Sequence, residues 1–316
     1  MRVVRDIEYS NADALDVYIP ELHPSGVTLL LHGGWLGGDK QDEEPLAERL
    51  CGSGQLVFVA NYGLDHAGPG GRGLDCVLAA LNWIKSSEFL FDRDRVAVMG
   101  HGIGGTLAIE VGLAKGIPVV AWSGMIDFKA FMDVTATLGD SDHLRDYEDV
   151  TWEKIKTVGE QIPFLRSVIL SLVQNNLSRL SAASPLTRVS SGAGPMLLFN
   201  SLDELVPAAG ATMLQHRLAA QGVPCQVNFV EGTAHGTEYS LRALPATIHF
   251  LTTVFDQQAM RERQDNNDEH IDAVSLQGLH ATAPAAFSLV AVDERSLAQV
   301  SWARLKYAWA GRRAAT

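Results

Sequence analysis

Two side chains that can exchange protons follow predicted strands in the second half of the chain. Asp203 comes soon after an apolar run over residues 195–200, and His235 follows the alternating run 225–230. A histidine titrates near neutral pH, and a carboxylate beside it fixes its tautomer and stabilises the imidazolium. Ligands of parallel α/β sheets gather at the carboxyl ends of the strands, so we expect Asp203 and His235 to form an acid–base pair there.

A sharp turn is predicted where a third apolar strand, residues 96–99, meets a glycine cluster and a helix. Residues 100–104 read Gly-His-Gly-Ile-Gly. This spacing matches G-x-S-x-G, in which a serine nucleophile stands on a strained turn at the tip of a strand. The serine position holds Gly102, which tolerates the turn but has no side chain that can form a covalent intermediate.

Backbone N–H groups that can stabilise a developing oxyanion are expected on two loops. The sequence His-Gly-Gly-Trp follows the apolar strand 27–31, so Gly33, Gly34 and Trp35 fall at the same edge of the sheet. Ile103, the residue after the apex of the turn, is expected to supply a second donor. Together with the acid–base pair, these loops predict chemistry at a carbonyl group.

His101 precedes the apex and is a further candidate for the binding site, as a replacement nucleophile or base. The residue before the apex usually points away from the pocket in such a turn, so we favour packing beneath the turn. No spacing of histidine, cysteine or carboxylate residues predicts a metal site, and the segment 140–143 is interpreted as a solvated loop. No cofactor is predicted.

Apolar strands alternate with amphipathic helices along most of the chain, which predicts an α/β fold with a mostly parallel central sheet and helices on both faces. The alternation is interrupted over residues 123–184, which we interpret as a helical cap inserted in a domain spanning residues 1–256. Strands are predicted at 3–9, 14–19, 27–31, 56–62, 96–99, 117–122, 195–200 and 225–230, and helices at 39–50 (with Asp39 as the N-cap), 71–85, 106–115, 208–221 and 237–255.

Residues 257–316 follow the last helix of the alternating α/β pattern and are not needed to complete it. Residues 257–270 are polar and charged, which predicts a linker or an exposed helix end. Residues 293–312 are predicted to form a helix that carries Trp302 and Trp309. Two tryptophans on a terminal helix indicate docking, either on the chain's own domain or on a second subunit in a homodimer.

Composition excludes several classes of protein. The formal net charge of −12 argues against a nucleic-acid partner and against binding to an anionic membrane surface. No apolar run reaches the roughly 18 residues needed to span a bilayer. Three widely spaced cysteines and the absence of an apolar signal segment at the N-terminus predict a cytoplasmic protein. The partner predicted for the carbonyl chemistry is a small-molecule substrate.

These motifs resemble those of esterases of the α/β-hydrolase fold, a group that includes hormone-sensitive-lipase-like carboxylesterases, feruloyl-type esterases and kynurenine formamidases. The resemblance covers about residues 10–255 and implies action on an ester, amide or thioester-like carbonyl. Gly102 stands where these enzymes have serine and Gly63 where they often have arginine, and the loop from His32 to Asp39 is about one residue short. The matching residues are 32–35, 38–40, 61–62, 100–104, 183–186, Asp203, 206–207 and 232–236.

Three functional hypotheses follow from the glycine at position 102. The chain is an enzyme in which His235 and Asp203 perform acid–base chemistry without a covalent intermediate, either on water or in an elimination, cyclisation or rearrangement. Alternatively, it is a serine esterase or arylformamidase whose nucleophile has been replaced. The third hypothesis is a binding module without catalytic activity.

Overall fold

The apolar runs identified in the sequence form the strands of one eight-stranded sheet. The computed structural model describes residues 1–10, 13–34, 38–63, 72–136, 155 and 160–271, with side chains described as far as residue 260. β-Branched and leucine residues, which fit a pleated surface buried on both faces, dominate the central strands. The strands are β1 (Arg2–Glu8), β2 (Ala14–Ile19), β3 (Val27–Leu31), β4 (Leu56–Ala60), β5 (Val96–His101), β6 (Val119–Trp122), β7 (Met196–Ser201) and β8 (Cys225–Val230).

The sheet order is β1-β2-β4-β3-β5-β6-β7-β8. β2 pairs antiparallel with β1 and β4, and all other neighbours are parallel. The register pairs Leu31 with Gly100, and His101 with Trp122, so these strands end at a common edge. The loops that follow β3, β5, β6, β7 and β8 therefore emerge side by side.

Helices cover both faces of the sheet. They are α1 (Glu44–Gly52), α2 (Arg72–Ser86), α3 (Ile103–Lys115), α4 (Phe128–Thr135), α5 (Gln161–Leu172), α6 (Leu180–Ala183), α7 (Ala209–Ala220) and α8 (Ser240–Ile271). Leu29 and Leu31 of β3 pack on the face covered by α2, α3 and α7, whereas Leu30 packs on the face covered by α1 and α8. This arrangement confirms the predicted α/β architecture.

Two predicted helices differ from the structure in their type or by more than three residues at one end. The segment predicted as one helix from Asp39 is a 3₁₀ turn, Lys40–Glu43, followed by α1. Asp39 does cap it, because its carboxylate accepts the Gln41 N–H at 2.8 Å. The last helix does not stop at residue 255, since α8 runs to Ile271 and so includes the residues predicted as a linker or exposed helix end. No helix in the described part of the chain is long and apolar enough to cross a membrane.

The segment predicted as a cap supplies α4, α5 and α6 between β6 and β7. Its helices are apolar on the side that faces the sheet edge, and Phe128 and Phe164 are buried there. Both side chains line a cavity that also touches Gly102 and His235. The inserted segment therefore covers the edge of the sheet at which the strand-end loops meet. The predicted helix with Trp302 and Trp309 lies outside the described residues.

Candidate active site

The turn between β5 and α3 has the geometry of a nucleophile elbow. Gly102 lies at its apex with φ 54° and ψ −124°, a conformation that side chains with a Cβ rarely adopt. Its N–H donates to the Trp122 carbonyl at 2.9 Å, which fixes the apex against β6. A Cβ at Gly100 would overlap the backbone of Gly104, and a Cβ at Gly104 would overlap the carbonyls of Leu31 and His32, so the two glycines allow α3 to approach both β5 and the end of β3.

His235 faces the position that a side chain at residue 102 would occupy. A Cβ built on Gly102 lies 3.3 Å from the His235 Nε2 atom, and its next contact, the Gly33 Cα, is 3.9 Å away. The loops after β3, β5 and β8 therefore meet at one point, as the sequence predicted. The residue at the apex of the elbow has no hydroxyl for this imidazole to activate.

The carboxylate that holds His235 belongs to Glu204, so the predicted pairing with Asp203 is wrong. The Nδ1 of His235 lies 2.5 Å from Glu204 Oε2. Asp203 is exposed, and its N–H donates to the Gly232 carbonyl in the turn that follows β7. The turn directs the next residue inward because the Ser201 N–H donates to Glu204 Oε1 at 2.7 Å. The sequence pattern favoured the first of two adjacent carboxylates, and only the turn distinguishes them.

Glu204 is fully buried, and neutral donors satisfy its second oxygen. Oε1 accepts hydrogen bonds from the Ser123 hydroxyl at 2.9 Å and the Asn200 amide at 3.2 Å, in addition to the Ser201 N–H. A buried carboxylate remains ionised at low cost only when such donors surround it. Glu204 can therefore stay anionic whether or not His235 carries a second proton.

Ser123 links this carboxylate to the loop that carries His235. Its hydroxyl accepts the Gly236 N–H at 2.9 Å and lies 2.8 Å from the Tyr239 hydroxyl. Burial raises the pKa of Tyr239 far above its usual value, so the phenol remains protonated and available as a donor. The sequence placed Ser123 near a strand end but contained no signal that it supports the acid–base pair.

The loop after β3 is ordered by His32. This side chain is buried, and burial lowers its pKa, so the ring is neutral. Its Nδ1 lies 2.8 Å from the Gly33 carbonyl and acts as the donor, and Tyr62 donates to the His32 carbonyl at 2.5 Å while stacking on the ring at 4.4 Å. In a trans peptide the C=O and the following N–H point in opposite directions, so the Gly34 N–H points away from His32.

The predicted oxyanion donors are only partly brought together. Gly34 and Ile103 line the cavity, and Ile103 is the first residue of α3, where N–H groups have no intrahelical partner. The Gly33 N–H instead donates to the His101 Nε2 at 3.1 Å. Trp35 lies outside the described residues. Gly34 and Ile103 therefore remain the candidate pair for stabilising an oxyanion.

His101 lines the cavity instead of packing beneath the elbow, so the favoured interpretation of this residue is wrong. Its side chain is 14% exposed, and its Nε2 lies 2.6 Å from a carboxylate oxygen of Glu43. The sequence could not predict this partner, which is 58 residues away. A second histidine–carboxylate pair therefore borders Gly102.

The cavity has a volume of about 520 Å³ and two kinds of wall. Gly34, Gly102 and His235 form a polar end, and the cap forms an apolar wall. Such a pocket orients a ligand by a few polar groups at one end and buries an apolar portion at the other. No cluster of three or more potential metal ligands occurs among the described residues. The apolar wall includes Met125, Phe128, Phe164, Leu165, Val168, Ile169 and Leu172.

Most of the chain, including the strands that carry this site, matches a known protein family. Residues 28–238, more than half of the chain, match the family model described as the alpha/beta hydrolase fold. The chain is an enzyme of the α/β-hydrolase family. A comparison with curated protein sequences gave no significant match for this hydrolase.

Solved esterases share the fold of this α/β hydrolase. The native esterase 2 of the planctomycete Thermogutta terrifontis superposes with a TM-score of 0.57 at 17% identity, over 80% of this chain and 92% of that one. The butyrate-bound form of the same esterase gives a TM-score of 0.55 at 19% identity, over 80% and 94%. The form phosphorylated by paraoxon gives 0.57 at 16% identity, again over 80% and 94%. At these identities the likeness concerns the fold.

Proposed function

We propose that this α/β hydrolase acts on a carbonyl-containing small molecule through general-base chemistry of His235 and Glu204, without an acyl-enzyme intermediate. One observation carries the proposal. The His235 Nε2 lies 3.3 Å from the position of a Cβ at residue 102, where the residue present is glycine. The base is thus oriented toward the space of an absent hydroxyl, and a water molecule or an acidic group of the substrate can take that place.

Each part needed for direct attack by water has a candidate among the described residues. His235 takes a proton from water while the oxygen attacks the carbonyl carbon, and the buried Glu204 stabilises the resulting imidazolium. The N–H groups of Gly34 and Ile103 stabilise the oxyanion that develops. The same base would remove a proton from carbon in an elimination, cyclisation or rearrangement of a carbonyl compound, for example in a biosynthetic pathway.

The cavity favours a substrate with an apolar portion next to its carbonyl. The cap helices line it with hydrocarbon side chains, and no lysine or arginine is among its described lining residues. A carboxylate deep in such a pocket would lose its hydration without gaining a counterion. A neutral ester with a short aliphatic acyl chain, such as p-nitrophenyl butyrate, is therefore a suitable probe.

Hydrolysis of p-nitrophenyl butyrate by the full-length protein tests this function. We expect a rate above that of buffer, no initial burst, and no labelling by a fluorophosphonate, because no acyl-enzyme forms. His235→Ala should lower kcat/KM about 10²- to 10⁴-fold, the usual contribution of a general base. His249→Ala, a change at an exposed histidine of α8, is the matched control and should leave the rate unchanged. Equal rates for wild type and His235→Ala would contradict the proposal.

A second candidate function is that of a serine esterase in which glycine occupies the serine position. The retained elbow favours it, because a Cβ at residue 102 would meet only the far end of the His235 side chain. Under this alternative, Gly102→Ser creates burst kinetics and fluorophosphonate labelling, and the wild-type protein has no hydrolysis that depends on His235. A His235-dependent rate in the wild-type protein would favour the first candidate.

A further inference from the structure

Two histidine–carboxylate pairs flank Gly102, and the proposed chemistry so far uses one of them. The second pair joins His101, at the end of β5, to Glu43, at the end of the 3₁₀ turn before α1. The Nε2–Oε1 distance is 2.6 Å, and the Glu43 side chain is only 2% exposed. The ring fits between two glycines, since a Cβ at Gly33 would overlap it and a Cβ at Gly236 would lie 2.8 Å from its Nδ1.

The two carboxylates differ in the donors that surround them. Glu204 receives three hydrogen bonds from neutral groups besides its contact with His235. Glu43 has His101 as its hydrogen-bond partner, and its buried Oε2 has no partner among the described residues. An ionised carboxylate buried in this way is costly unless a cation pairs with it.

The other titratable groups around Glu43 do not provide that cation. His32 is neutral because burial lowers its pKa, and burial holds the Tyr62 phenol in its protonated form. Asp39 interacts with His32 and Asp42 lines the cavity, and both are acids. The ammonium of Lys40 is already shared between Asp6 and Asp16, at 2.7 and 2.9 Å. The Nε2 of His101 accepts the Gly33 N–H at 3.1 Å and so is not protonated, which leaves Glu43 neutral, with its proton in the short contact.

A neutral Glu43–His101 pair requires a proton on the His101 Nδ1 atom. The Gly33 N–H donates to Nε2 at 3.1 Å, so Nε2 has no proton of its own, and the proton of the short contact belongs to Glu43. Glu43 then donates to Nε2, and the neutral ring has its hydrogen on Nδ1. Nδ1 lies beside Gly33 and Gly236, which border the active site, and it forms no hydrogen bond within the described part of the chain.

We infer that His101, paired with Glu43, is the acid of the active site and donates its Nδ1 proton to the leaving oxygen, while His235 acts as the base. This inference rests on the proposed function and adds a second proton-transfer residue to it. Two titratable pairs in contrasting surroundings provide the opposite protonation states that acid–base catalysis needs. A serine esterase uses a single histidine in turn as base and acid, through its acyl-enzyme. Without that intermediate, a separate acid allows both proton transfers within one reaction.

The proton balance closes over one turnover. His235 accepts one proton of water as the water oxygen bonds to the carbonyl carbon. The bond from that carbon to the leaving oxygen then breaks, and this oxygen keeps the bonding electron pair and takes the Nδ1 proton of His101, while the Nε2 of the same ring takes the proton of Glu43. The products are the carboxylic acid and the alcohol. His235 has gained one proton and Glu43 has lost one, and exchange with solvent restores both.

Two esters of the same acid test the role of His101. Ethoxide needs a proton to leave, whereas p-nitrophenolate leaves without one, so an acid catalyst matters only for ethyl butyrate. We expect His101→Gln to lower the rate on ethyl butyrate at least about tenfold more than the rate on p-nitrophenyl butyrate. Glu43→Gln, which keeps the shape but has no acidic proton to pass to Nε2, should change the ratio in the same direction. His249→Gln is the control.

An equal loss on both esters would overturn the inference, since a purely structural role lowers both rates alike. The second measurement needs no substrate. Ring ¹⁵N–¹H spectra of the full-length protein at pH 7.5, assigned with His101→Gln, should show a hydrogen on the His101 Nδ1. A bare Nδ1 would overturn the inference whatever the ester rates are. Absence of any His235-dependent hydrolysis would instead count against the proposed function.

Discussion

Single atoms decide the chemistry that this α/β hydrolase can perform. Gly102 retains the backbone of the elbow and lacks the oxygen that would form an acyl-enzyme. Glu204 and Asp203 are neighbours in sequence, but one is buried against His235 and the other is exposed. At this scale, function depends on which of two identical functional groups the turn directs inward.

The pair of carboxylates provides a matched test. Glu204→Gln keeps the shape of the side chain but removes the charge that stabilises the His235 imidazolium, so kcat/KM on p-nitrophenyl butyrate should fall about 10²- to 10⁴-fold. Asp203→Asn makes the same chemical change one residue earlier, at an exposed position, and should leave the rate unchanged. Circular dichroism checks that both variants fold. A loss in Asp203→Asn with none in Glu204→Gln would reverse the assignment.

In the proposed function, the secondary-structure elements that position the acid–base groups differ from those that select the substrate. The carboxyl ends of the parallel strands position Gly102, Glu204 and His235, whereas α4 and α5 form the apolar wall of the cavity. Within α5, Leu165 lines the cavity, and Leu170 is equally buried but faces away from it. Changes in α5 should therefore alter which acyl chain fits without altering the acid–base groups.

Truncation of a leucine in α5 tests this division. Leu165→Ala should shift the preferred p-nitrophenyl ester toward longer acyl chains, because the removed side chain enlarges the cavity. Leu170→Ala should leave the chain-length profile unchanged. Each substitution removes a buried leucine and should lower the free energy of unfolding by about 2–5 kcal/mol, measured by urea denaturation. The same shift in both variants would show that general loosening, and not cavity shape, sets the preference.

The described part of the chain forms one sheet with helices on both faces, and the full chain is acidic. Its net charge of −12 still argues against nucleic-acid partners. Helix α8 ends at Ile271, and Trp302 and Trp309 follow it in the sequence, outside the described residues. The expectation that this segment docks on the chain's own domain or forms a homodimer stays a prediction from sequence.

Sedimentation of the full-length protein tests the dimer. If the two tryptophans bury their rings in a subunit interface, the wild-type chain should sediment as a dimer, and the Trp302→Ala/Trp309→Ala double variant should sediment as a monomer. Gln299→Ala, in the same segment, should not change the sedimentation coefficient. A monomeric wild-type chain at micromolar concentration would contradict the prediction of a homodimer.

Local patterns in the sequence were sufficient to predict the strands and helices and part of the candidate site. Strands 14–19, 27–31 and 225–230 have the predicted bounds, because apolar residues at strand spacing must be buried. Gly102 and His235 were also identified, because glycine spacing and the position of a loop after a strand are local signals. The cap was detected as an interruption of the alternation between strands and helices.

Contacts between distant segments depended on the tertiary structure. Ser123 and Glu204 meet across 81 residues, and His101 and Glu43 across 58. A turn such as that after β7 leaves either of two adjacent carboxylates able to face inward, and the packing of other segments selects one. Periodicity indicates which face of an element is buried. The partner of a buried polar group is set by whatever the rest of the chain brings within hydrogen-bond distance.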